Sequence, residues 1–475
     1  MKDKGEKNMK KSLLLLLATS ALLFTSCQAV NPANSNGNNN GNGGNNNNNN
    51  NPPVDDDPEF VEFNLLDSSS TSDRGRDMMG KGIYETIDSL LDSSALKITG
   101  NIKDANIDLT AKEDSENPRY NVHENIKDIS GKVELGLSGY SFKKNQVTSV
   151  NGLIGYIDVD KLNATSNLTY QLSNELLKEN STTTTTVNTE TKSENGKAAF
   201  YLKEGNVYGD LSDENITGLL ETVSKVGEVA GEDMSALQDI ADKPKFKVTS
   251  LLENKEVNLY NVISEKIPVI DLLNAKTISG ALESLAKNAE GKESAQEVFD
   301  MMDIKFYSAI QKSDYYFKIT FGMDEVSDFI TLADYISSQA EEGEEGFTPI
   351  DIEKDLEEMD IELVKSALSG EIRFAKTGDI ETDIDLDLEM NYKDEIDLTK
   401  YEDFKVDSLS VDSNLKFSSS LAVKVQFEEN KSYADKLPSD EELADYYEID
   451  GAEIKATIEE LIEKYSSETM EEGQE

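Results

Sequence analysis

Tryptophan is absent from this chain, which holds a single histidine, His123, and a single cysteine, Cys27. With one cysteine there is no intrachain disulfide, so the fold must rest on apolar packing, for which 475 residues suffice. Structural zinc built from Cys and His is excluded, as are thiol redox chemistry and haem held by paired histidines. Cys–His or Ser–His–Asp catalysis would require His123 as the base. That residue lies in NPRYNVHENIKD, a polar segment with Pro118, which reads as a surface loop. Missing tryptophan also argues against a sugar-stacking cleft. Positive charge is scarce: 46 Lys and Arg face 94 Asp and Glu, a net −48. Such a chain repels nucleic acid phosphates, so a nucleic acid partner is not expected. No cofactor and no enzyme activity are expected. The composition leaves open a carboxylate-pair hydrolase, but nothing sets two of the many acids apart.

Long apolar runs are missing too, save one. Leu13 to Phe24, reading LLLLLATSALLF, follows Lys10 and Lys11 and precedes Thr25, Ser26 and Cys27. It is shorter than the roughly 20 residues that span a bilayer, and its order is that of a secretory signal. The segment resembles the lipobox of bacterial lipoproteins, with Phe24 where that family usually has Leu. The resemblance implies a signal peptide over 1–26 and a diacylglyceryl-modified Cys27, the palmitate-type anchor of a lipoprotein. One acyl chain binds a bilayer marginally, whereas two or more hold stably. The membrane is thus a partner through the lipidated N-terminus, and the compartment is the cell envelope. Gln28 follows the cysteine. The family's sorting rule retains Asp there on the inner membrane, so Gln28 points to the outer membrane. Met9 begins MKKSLLLLL, a cleaner signal than Met1 offers, and is an alternative start. Removing 1–26 leaves 41 basic and 92 acidic residues, a charge of −51.

Residues 27–58 form the next unit. From Asn31 to Pro58 they are mostly Asn, Gly and Pro, with almost no apolar side chains. Such a low-complexity segment cannot offset the entropy of ordering, so a disordered tether is expected, with a span of roughly 30 Å.

The body, 59–475, alternates apolar and polar residues with period two in many places, the mark of half-buried strands. Examples are Val133–Leu137, Leu153–Val159, Phe200–Leu202, Val207–Leu211, Tyr315–Phe321, Ile372–Phe374, Ile384–Tyr392 and Phe417–Phe427. Glu204-Gly205-Asn206 reads as a hairpin turn, as does Lys376-Thr377-Gly378-Asp379. Helical spacing predicts helices over Asn215–Val229, Ile267–Ala289, Asp324–Gln339, Ile350–Leu368 and Ala452–Tyr465. A further one follows the capping-box spacing of Ser439 and Glu442. Strand, turn, strand and helix recur in that order at 199–223 and 309–336, which suggests two similar halves near 95–250 and 300–435. The fold class is α+β, an antiparallel sheet with packed helices. The order resembles that of LolA-, LppX- and RseB-like envelope proteins, which implies a curved sheet holding acyl chains or sensing envelope damage. No residue motif accompanies this resemblance.

The sharpest cluster is ETDIDLDLE. Glu381, Asp383, Asp385, Asp387 and Glu389 would share one face of a strand, with Ile384, Leu386 and Leu388 on the other. Neighbouring-strand lysines such as Lys416 and Lys424 could offset the repulsion. So could a cation on Asp383, Asp385 and Asp387, but alternate side chains about 6.7 Å apart suit one ion poorly. A solvated sheet face is the expectation, with no metal. The function expected is that of an anchored envelope protein with a non-catalytic binding or interaction body. The alternative is a carrier or sensor of an apolar ligand.

Overall fold

Alternating residues pair into sixteen strands in the computed structural model, which describes residues 59–116, 118–149, 154–172, 191–193, 196–218, 220–221, 241–249, 256–267, 270–310, 314–328, 330–331, 356, 360–399, 405–433 and 436–450. In chain order these are β1 (Phe60–Phe63), β2 (Ala95–Glu113), β3 (Tyr120–Ser138), β4 (Thr148–Ser149), β5 (Ile154–Leu172), β6 (Thr191–Ser193), β7 (Ala198–Lys203) and β8 (Asn206–Asp210). Then come β9 (Lys245–Thr249), β10 (Glu256–Val257), β11 (Lys305–Ala309), β12 (Tyr315–Met323), β13 (Ile361–Ala375), β14 (Ile380–Asp397), β15 (Ser408–Glu428) and β16 (Tyr447–Asp450). Five helices are assigned whole: α1 (Ser70–Asp92), α2 (Leu259–Lys266), α3 (Ala275–Lys287), α4 (Ala289–Met301) and α5 (Asp440–Leu443).

Fourteen strands make one sheet, in the order β1-β11-β12-β13-β14-β15-β2-β3-β5-β7-β8-β9-β16, with β6 on β5. Its neighbours are antiparallel except β16, which lies parallel on β9. The α+β expectation therefore holds. The segments 95–250 and 300–435 are joined edge to edge through β15 and β2, from Val411↔Glu113 to Glu428↔Ala95. Six adjacent central strands run 15 to 21 residues, about 50–70 Å each.

One face is apolar. Ile102, Ile107, Ile126, Ile129, Val133, Met390 and Leu415 form its main core, and Ile216 and Leu220 pack on it from the segment 214–221. Helix α1 covers the same face further along, where Phe63, Met79, Phe306 and Phe317 form a second core. Phe317 stacks on Phe374 with centroids 4.3 Å apart.

Several elements depart from expectation. Helix α1 is not legible in the periodicity, because Gly75, Gly80 and Gly82 dilute its helical signal. Two of these glycines permit close approach: a Cβ at Gly82 would lie 2.6 Å from the Phe317 ring, and one at Gly80 would lie 2.7 Å from the Ala275 carbonyl oxygen. Ser69 caps α1, and buried Arg76 ties it down by donating to the carbonyls of Leu65 (2.7 Å) and Asp67 (2.6 Å). The helix expected over Ile350–Leu368 is corrected in part: Ile361–Leu368 belong to β13, paired with β14 from Tyr392 to Leu386. A full-length ladder outweighs local helical spacing there. The helix expected over Ile267–Ala289 is broken, since Ile267 caps α2 and Asn274 starts α3 through a capping box with Thr277. His123 lies in β3, not a loop, because its neighbours Val122 and Ile126 are core residues. The Glu204–Gly205 hairpin is as expected, both residues having positive φ, and the Ser439–Glu442 capping box is formed. Residues 1–58, most of Asn215–Val229 and Asp324–Gln339, and Ala452–Tyr465 lie outside the described residues.

Candidate interaction surface

The second face of the central strands is polar. Strand alternation puts Glu381, Asp383, Asp385, Asp387 and Glu389 on it, as expected, and Ile384, Leu386 and Leu388 on the apolar side. The register sets Lys424 opposite Glu381 and Lys416 opposite Glu389. Both pairs close, at 3.0 and 2.9 Å. Asp383 is held by Lys103 of β2 (2.6 Å) and Arg373 of β13 (2.7 Å), and Asp387 by Lys365 (2.5 Å). Asp385 accepts from the Ser420 hydroxyl. The row is thus knitted across four strands, and like-charge repulsion along β14 is offset from both sides. Among the described residues, no group of three or more His, Cys, Asp or Glu is placed to hold a metal ion.

Burial pushes the Glu381 carboxyl up, but hydrogen bonds from Tyr315 and Lys424 outweigh it and hold the group below its usual range. Hydrogen bonds from Lys416 and Asn414 likewise lower Glu389. A second knot lies at the far side of this face. Glu134 takes Lys97 at 3.0 Å, Lys436 at 3.2 Å and the Tyr156 hydroxyl. Burial opposes its ionisation, yet these donors bring its pKa down to about 2. Tyr433 packs edge-on against Tyr156 at 5.5 Å, so residues after β15 roof this corner of the polar face.

The rest of the face is open. One cavity of about 540 Å³ is lined by Asp104, Asp385, Asp387, Ser418 and Ser420 among others, and a second, of about 760 Å³, by Lys112, Asn121, Asn391, Lys393, Asp412 and Asn414 among others. Side chains of this face line both, joined in the first by Asp303 and Asp324 and in the second by Ile361 and Tyr392. His123 stands on it too, half exposed, with Nε2 3.0 Å from Asp108 Oδ1. Asn125 donates to the other oxygen of Asp108 at 2.6 Å. Thr110 of β2 is the register partner of His123, and the hydrogen bond described for the imidazole is the one to Asp108.

One residue escaped the sequence reading. Glu124 has the parity of Val122 and Ile126 and therefore points into the apolar face, opposite Leu109. It is 7% exposed and makes no hydrogen bond or ion pair among the described residues. Desolvation alone raises its pKa to about 7. The signal was available: a carboxylate sat at an apolar position of a strand pattern. Cys27 lies outside the described residues.

No family model matches the chain, and no curated protein matches its sequence. A solved structure to which it is similar is the outer membrane protein OprG from Pseudomonas aeruginosa, at 7% identity and a TM-score of 0.16. That match covers 71% of this chain and 98% of the other, at a score too low to carry a shared fold.

Proposed function

We propose that the chain is a lipid-anchored cell-envelope protein, held at the outer membrane through Cys27, whose body acts by contact rather than by chemistry. The observation that carries this reading is the polar face. Six strands of unusual length build the face, one of them presents a row of carboxylates already satisfied by lysine, arginine and serine, and the cavities beside the row are open. Such a surface suits reversible binding of a polar protein partner, because its charges are positioned in advance and stay hydrated. The apolar residues of the sheet are directed to the opposite face, where α1 packs over the second core and Ile216 and Leu220 pack on the main one. A carrier of acyl chains would instead need an apolar cavity that could hold them.

Native mass spectrometry of the protein extracted in mild detergent tests this reading. The expected mass is that of the triacylated or diacylated chain alone. Stoichiometric co-purified lipid beyond the anchor would overturn the contact reading in favour of the carrier.

A further inference from the structure

We propose that the small module carrying β4, β10 and α2 dips into the bilayer surface beside the lipid anchor. It rests on the reading of Cys27 as that anchor, and adds a second, non-covalent membrane contact.

The module carries four of the large apolar side chains that stand in solvent: Val147 at 59% exposure, Val262 at 48%, Ile267 at 43% and Leu272 at 68%. They are not loose. Val147 directly precedes β4, which pairs with β10 through Val257↔Thr148. Val262 is on α2, Ile267 caps it, and Leu272 ends the turn that follows. The segments are tied together at the surface by Asp271, which accepts from Tyr260 and pairs with the exposed Lys144, and by Asn258, which donates to the Lys144 carbonyl at 3.2 Å. Tyr260 and Ile270 are buried beneath. A rigid mount with apolar residues outward is the arrangement of an interfacial anchor, in which side chains sink about 5–10 Å into the headgroup region.

The register places the module at one end of the sheet. Phe60, the first residue of β1, pairs with Ala309. The row at that end of the sheet continues through Tyr315↔Ala375, Phe374↔Ile380, Ile380↔Val425, Val425↔Ile98 and Ile98↔Leu135. The module's β4 belongs to the connection that leaves β3 after Ser138, just beyond that row. Gly139 there bonds the Ser94 carbonyl at 3.1 Å, and Tyr140 meets Ser93 at 3.1 Å. So the chain arriving from Cys27 joins the body at the same sheet end from which the module projects. Seven strand spacings separate β1 from β3, about 34 Å along the sheet. A free chain of the length of 28–58 spans roughly 30 Å, so the bilayer holding Cys27 is within reach.

Charge selects the bilayer over other occupants. The chain carries −48, yet the described parts of this module, 139–149, 256–267 and 270–274, hold three lysines and three acids. It is a neutral apolar tip on a strongly acidic body, and approach to a zwitterionic lipid surface there meets no long-range repulsion. A second copy would bring another acidic body against it.

The absence of tryptophan supplies the assay. Full-length lipidated chain carrying Leu272→Trp is placed in phosphatidylcholine vesicles, with and without bromine on the acyl chains, beside a Val364→Trp control. Val364 is exposed near the opposite end of β13. The expected result is blue-shifted emission for Leu272→Trp that loses most of its intensity in brominated vesicles, with Val364→Trp unaffected. Emission that stays red-shifted and unquenched while the chain floats with the vesicles overturns the module's role and leaves the anchor standing. A blue shift that bromine does not quench means protein covers the patch, and also overturns it. A chain that does not float at all refutes both the anchor and the module.

Discussion

Glu124 offers the sharpest test of the fold. Its carboxyl is buried on the apolar face, with pKa raised from 4.5 to about 7 by desolvation alone. The folded state therefore holds this proton where the unfolded chain has released it. Between about pH 4.5 and 7 the native state binds more protons than the unfolded state, so this group's contribution to stability falls as pH rises through that window. Below it, both states are protonated and the ionisation cost vanishes. Above it, the full cost remains. At about 1.36 kcal/mol per pH unit, the difference between the two pKa values corresponds to about 3 kcal/mol. Glu124→Gln keeps a neutral polar group of the same shape and cannot ionise. Its advantage over the native chain should be near zero at about pH 4 and reach about 3 kcal/mol at about pH 8. Urea denaturation of both proteins at the two pH values measures this, and the comparison cancels every other titrating group. An advantage that does not grow with pH would refute the placement of Glu124 in the core, and with it the parity of β3.

Three further outcomes are expected. Cys27→Ser should abolish incorporation of radioactive palmitate and leave an unprocessed or released chain; label retained in that variant would sink the lipobox reading. Asp385→Asn should change stability by no more than about 0.5 kcal/mol, as at most surface sites, because its one described partner is the Ser420 hydroxyl and Asp383 and Asp387 flank it; a melting midpoint raised by millimolar Ca²⁺ over matched NaCl, and lost in this variant, would show a cation site instead. Gly82→Ala should destabilise by about 1–3 kcal/mol through overpacking against Phe317, read as a lower urea midpoint with unchanged slope, whereas Gly218→Ala, where a Cβ meets open space, should not.

Period-two alternation was enough to place the central strands, and with them the acidic row, because strand geometry sends successive side chains to opposite faces whatever the partner strand. It also named Lys416 and Lys424, since a row of carboxylates on one strand calls for cations on the next. The hairpin at Glu204–Gly205 and the capping box at Ser439 were legible for the same reason: their chemistry is local. Other features needed the third dimension. Helix α1 owes its glycines to Phe317 and Ala275, residues some 200 positions away that set how close its backbone must come. Residues 361–368 could satisfy a helical pattern alone and became strand only because β14 offered a ladder from Tyr392 to Leu386, bulged at Val364. His123 and Glu124 are neighbours in sequence, yet one stands in solvent beside Asp108 and the other is sealed in the core. Alternation assigns them to opposite faces, but only the packing of helices on one of those faces decides which carboxyl loses its water and which side chains remain free to meet a partner.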